Sequence, residues 1–112
     1  MFADFALFGQ WFAAMDSAQE HKFAFNEAIS LIVKCDTQQE IDSYWQQLSA
    51  VPEAEQCGWL KDKFGVSWQI IPGVLGELMG DPDQKKSERV MQAMLKMKKI
   101  IIEDLQKVYD RA

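Results

Sequence analysis

The chain has 112 residues, 48% of them hydrophobic and 26% charged, and a net charge of −5 at neutral pH. That length suits one domain around one core. The acid excess argues against a nucleic-acid surface, which needs a basic patch, and no apolar run reaches the roughly 18 residues that span a bilayer. Two cysteines, Cys35 and Cys57, with one histidine, His21, do not make a zinc set. With no visible signal peptide, they read as free thiols in a cytoplasmic protein.

In chain order, Phe2 to Phe8 and Trp11 to Met15 are apolar around Gly9, which predicts a hairpin. A polar loop follows from Asp16 to Lys22. Ala28 to Val33 is β-branched and apolar and predicts a strand. Thr37 with Glu40 fits a capping box, with Asp36 as an alternative N-cap. Ile41, Tyr44, Trp45 and Leu48 then recur at helical spacing and give the helix one apolar stripe.

A loop holds Pro52. A second hairpin turns near Asp62-Lys63-Phe64-Gly65 and ends at Pro72-Gly73. Val74 to Met79 predicts a short helix. Asp81-Pro82 reads as the N-cap and first position of the next one, whose apolar side is Val90, Met91, Met94, Leu95 and Met97. A last helix is expected over Glu103 to Tyr109, with Leu105 and Val108 inward and Ile101 at a start that lacks a capping side chain. The organisation expected is a single domain over 1–112: a leading hairpin (1–16), a βαββ module (26–72) and a helical tail (73–112).

Three stretches carry a resemblance: Phe25-Asn-Glu-Ala-Ile-Ser30, Cys57-Gly-Trp-Leu-Lys-Asp-Lys-Phe-Gly-Val-Ser-Trp-Gln-Ile70, and Met91-Gln-Ala-Met-Leu-Lys-Met-Lys-Lys-Ile100. With them the chain resembles the vicinal oxygen chelate superfamily (glyoxalase I, bleomycin-resistance proteins, extradiol dioxygenases). Within it, the PhnB-like branch, often labelled 3-demethylubiquinone-9 3-methyltransferase, is the nearer likeness. The resemblance implies an α+β fold: a glyoxalase/bleomycin-resistance-like βαβββ sheet cup with a C-terminal helical extension. It also implies divalent-metal ligands, His or Glu, on the first and last strands of each module.

Here those positions fall on Ala13, Ala28 and Gln69. An alanine cannot ligate, and an amide is a poor ligand for zinc or iron. No metal and no cofactor are therefore expected, and no catalytic group stands out. Strand alternation with the family's geometry turns Trp11, Ala13 and Met15, then Ala28, Ser30 and Ile32, then Ser67, Gln69 and Ile71 toward the cup.

Trp11, Ser30, Ser67 and Gln69 are thus the candidate contacts for a small organic ligand. Gln69 has a second reading, as a residue that satisfies a neighbouring group. Members of the branch carry a further strand, helix and strand before the first hairpin, so the chain is short at that end and a homodimer that completes the cup is expected. The functions in view are a metal-free small-molecule binder, a metal-dependent lyase, isomerase or dioxygenase using other ligands such as His21, Glu20 or Asp16, the methyltransferase of the family label, and an interaction module acting through its dimer surface.

Overall fold

A computed structural model describes residues 2–111. It contains two sheets and four α-helices. Strands β1 (Phe2–Leu7) and β2 (Gln10–Met15) form an antiparallel ribbon of their own. The Phe8-Gly9 turn between them has positive φ at both residues, the two-residue geometry whose twist suits a hairpin. Strands β3 (Ser30–Cys35), β4 (Trp59–Lys61) and β5 (Ser67–Pro72) form the second sheet in the order β3-β5-β4. β3 runs parallel to β5, and β4 antiparallel to it.

The parallel pair requires a crossover, and α1 (Gln38–Leu48) supplies it. Its start is a capping box: the Glu40 N–H donates to the Thr37 hydroxyl, while the Glu40 carboxylate accepts from the Asp36 N–H. The predicted stripe faces the sheet. Ile41 is fully buried with Val33, Cys35, Leu60 and Ile70, and Tyr44, Trp45, Leu48 and Trp68 pack around them. Burial holds the Cys35 thiol in its protonated form, with Glu40 and Asp36 adding to the effect.

After β5 come α2 (Val74–Met79), α3 (Gln84–Leu95) and α4 (Ile102–Asp110), around a second core of Leu75, Leu78, Val90, Ile100 and Leu105. Three sequence expectations change here. The N-cap of α3 is Asp83, which accepts from the Lys85 N–H; Asp81 instead accepts from the Asp83 N–H and from the Tyr109 hydroxyl. Met91 and Leu95 lie exposed, because α3 meets its neighbours through Val90, Ala93 and Met94. Ile101 caps nothing with its side chain, but Gln38 of α1 takes the cap's place. Its Oε1 accepts from the Ile102 N–H at 2.8 Å and its Nε2 donates to the Ile100 carbonyl at 3.0 Å.

The molecule measures 60 × 29 × 24 Å with a radius of gyration of 16.8 Å. A compact chain of this length has a radius of about 13 Å. The β1–β2 ribbon shares its sheet with no other described strand. Its register places Phe5, Leu7 and Phe12 on one face and Phe2, Trp11 and Met15 on the other, with most of these side chains exposed.

Replacing Gln38 by Ala removes both bonds to α4, and urea unfolding is expected to show a loss of about 1–2 kcal/mol. The Asp81–Tyr109 bond sets a pH window. The Tyr109 hydroxyl holds the Asp81 carboxyl below its usual range, and Asp81 in turn holds the Tyr109 phenol above its own. The stability they add is lost as pH falls through the depressed Asp81 value, and lost again as pH rises through the raised Tyr109 value. Melting Tyr109→Phe beside wild type is expected to show a deficit at neutral pH that fades at both extremes.

Candidate functional site

Register sorts the three-stranded sheet into two faces. Leu31, Val33, Cys35, Leu60, Trp68 and Ile70 lie on the α1 side. The other face carries Ser30, Ile32 and Lys34 on β3, Ser67, Gln69 and Ile71 on β5, and Trp59 and Lys61 on β4. Two rows cross it. Lys61, Ser67 and Ser30 align in one, and Trp59, Gln69 and Ile32 in the next. Neighbouring strands sit about 4.8 Å apart.

The Gln69 Nε2 donates to the Ser30 Oγ at 2.9 Å. That bond meets one of the two readings of Gln69: its amide satisfies a neighbouring side chain. Because Ser30 Oγ accepts this bond, its own proton remains free to donate, as the Gln69 Oε1 remains free to accept. Ser67 is 2% exposed beside them. At the far end of the face, Ile71 packs against the helical tail.

Residues 25–28 arch toward β4, where Glu27 meets Lys61. The Asn26 Oδ1 accepts from the Ala28 N–H, and this local turn delays the strand to Ser30, two residues after its predicted start. Ala28 therefore sits in the turn rather than on β3. Glu27, from the arch, takes a hydrogen bond and ion pair from the Lys61 ammonium, which pulls the Glu27 carboxyl below its usual range.

The remaining sequence candidates lie apart from this face. Trp11, 70% exposed, and Ala13 belong to the separate ribbon. It is the opposite side of that ribbon, with the turn residue Phe8, that borders the sheet: Leu7, Phe8 and Phe12 line a 440 Å³ cleft against Val33, Tyr44 and Trp68. A larger hollow of 660 Å³ among Lys85, Arg89, Lys96 and Arg111 lies on the tail, where Arg89 is occupied in bonding the Val108 and Arg111 carbonyls.

Trp59 and Lys61 were missed. The hairpin held a usable signal: a turn over 62–66 pairs position 61 with 67 and position 59 with 69, which puts both beside Ser67 and Gln69. Among the described residues, no group of three or more His, Cys, Asp or Glu side chains could hold a metal ion. Ala13, Ala28 and Gln69 offer no imidazole, thiolate or carboxylate, so the donor set does not fit the metal that the fold family implies. Among the described residues, no helix is long and apolar enough to cross a membrane.

The described residues make a mixed α+β chain of two small sheets and four helices, a class that includes the glyoxalase-type proteins. The sequence profile described as 3-demethylubiquinone-9 3-methyltransferase matches residues 1–71, and the chain belongs to that family, the PhnB-like branch of the vicinal oxygen chelate superfamily. Among solved structures it is similar to a PhnB protein from Bacillus cereus, provisionally named as a 3-demethylubiquinone-9 3-methyltransferase. The two are 38% identical with a TM-score of 0.56, over 65% of this chain and 64% of that one. The chain thus spans under two thirds of that relative. None of the curated proteins compared with it matches.

Gln69→Leu keeps the volume but leaves Ser30 without its donor; the expected cost is about 1 kcal/mol with the fold intact, read by chemical denaturation and circular dichroism.

Proposed function

We propose that this chain is a metal-free small-molecule-binding protein that acts in the cytoplasm as a homodimer, with the Ser30–Gln69 face as one wall of its site. The observation that carries the reading is the Gln69–Ser30 hydrogen bond, at the position where the family resemblance expects a metal ligand. It presents neutral donors and acceptors where a metal site needs charge. Trp59 and Ile32 supply apolar surface beside it, the mixture that suits an organic ligand.

Two features support the dimer. The β1–β2 ribbon exposes apolar side chains on both faces, a surface costly to leave in water. β3 is an edge strand with unpaired backbone groups. A second copy that brings its ribbon to this edge buries both and supplies the missing wall, with Trp11 facing inward.

The family description favours methyl transfer as a second reading. S-adenosylmethionine sites commonly use a parallel α/β sheet with a Gly-rich first turn. Among the described residues the one parallel pair is β3 with β5, and the turn from β3 into α1, Asp36-Thr37, has no glycine, which weighs against it.

Two measurements test the binder. Elemental analysis of purified protein is expected to find metal far below one equivalent per chain, whereas stoichiometric zinc, iron or manganese bound on this face overturns the reading. Light scattering is expected to give twice the 12.9 kDa chain mass, and Phe5→Ser with Phe12→Ser to shift the protein toward monomer.

A further inference from the structure

The open face is uneven in its hydrogen-bonding character. Lys61 and Ser30 offer donors on either side of the buried Ser67, in one row crossing all three strands. The Lys61 ammonium has no acceptor capacity, and the bond from Gln69 leaves the Ser30 hydroxyl proton directed elsewhere. A row of this composition receives an oxyanion better than a cation or an apolar group.

Such an anion is already in place. The arch holds Glu27 over the row, bonded to Lys61. The two partners differ in freedom. The side chain of Lys61 is 24% exposed on a strand, while that of Glu27 is 64% exposed on a turn fixed through Asn26. Glu27 can therefore swing into water while Lys61 stays. The next row, Trp59, Gln69 and Ile32, offers a flat aromatic surface and an aliphatic one beside the same amide.

We infer that the ligand of this face is an aromatic or otherwise flat carboxylic acid, whose carboxylate displaces Glu27 from Lys61 and whose body lies along Trp59. The inference rests on the binding reading above and adds the ligand's charge, its anchor and the residue that competes with it. Glu27 acts as an internal stand-in that keeps the donor row satisfied until the ligand arrives. Lys61 is a binding residue in this scheme, and no bond is made or broken.

Benzoate and its neutral counterpart benzamide, titrated into the full isotope-labelled chain, separate the possibilities. The Trp59 indole and Gln69 amide resonances report on the face. Benzoate is expected to shift both saturably, with benzamide about tenfold weaker, the difference that one charge-assisted contact makes. Glu27→Gln is expected to tighten benzoate several-fold by freeing Lys61. Lys61→Met is expected to erase the preference, and Lys61→Arg to keep it, which distinguishes lost charge from lost folding.

Equal binding of the two probes, or weaker benzoate binding in Glu27→Gln, overturns the acid inference and leaves the binding site standing. Shifts confined to α3 and α4 overturn it as well. Silence of both reporters with both probes removes the binding site and the inference together.

Discussion

The parallel pairing of β3 with β5, Ser30 opposite Ser67, is the constraint on which the other features depend. A slip of one residue would exchange the two faces. If β3 slipped, Val33 and Cys35 would leave the α1 core, and Ser30 and Lys34 would enter it as buried polar groups. The crossover helix fixes the register from one side, because Ile41 must meet Val33, Cys35 and Ile70. The Gln69–Ser30 hydrogen bond fixes it from the other. The polar pair is therefore a structural element and a surface for recognition at once. The ion pair over it is of a kind that contributes little to stability when exposed, so its loss to a competing anion disturbs the fold little.

The ribbon poses the opposite problem. Two strands alone are marginal in water, and this pair shows aromatic side chains on both faces. The stacked rings of Phe5 and Phe12, with centroids 5.6 Å apart, hold one face together. Trp11 and Met15 on the other are 70% and 75% exposed.

Local signals in the sequence survived well. The capping box of α1, its stripe from Ile41 to Leu48, the Gly9 turn and the inward Leu105 and Val108 each depend on neighbours within a few positions, and each appears in the structure. The departures share a cause: distant partners. Asp81 looked like a cap, but Tyr109, 28 positions later, engages it. The uncapped start of α4 is served by Gln38, from 64 positions earlier. Half of the candidate site was legible, since alternation put Ser30, Ser67 and Gln69 on one face. The bond between Gln69 and Ser30 was not, because 39 positions separate them. Ala28 falls in the turn that Asn26 imposes, and Trp11 lies on a ribbon separate from the main sheet.

The tail, finally, is not an appendage. Cys57 and Gly58 form a tight left-handed turn whose two N–H groups donate to the Met97 and Lys98 carbonyls at 2.8 Å each. A side chain at position 58 would press on Ile100 and on the Ile70 carbonyl, and the backbone there has positive φ, so the position favours glycine. The C-terminal helices are thereby riveted to the back of the hairpin that carries Trp59 and Gln69. The Gly58 carbonyl in turn accepts from the Ile70 N–H at 2.8 Å, so the tail's attachment point and its bonding partner lie one residue along the chain from Trp59 and Gln69 respectively.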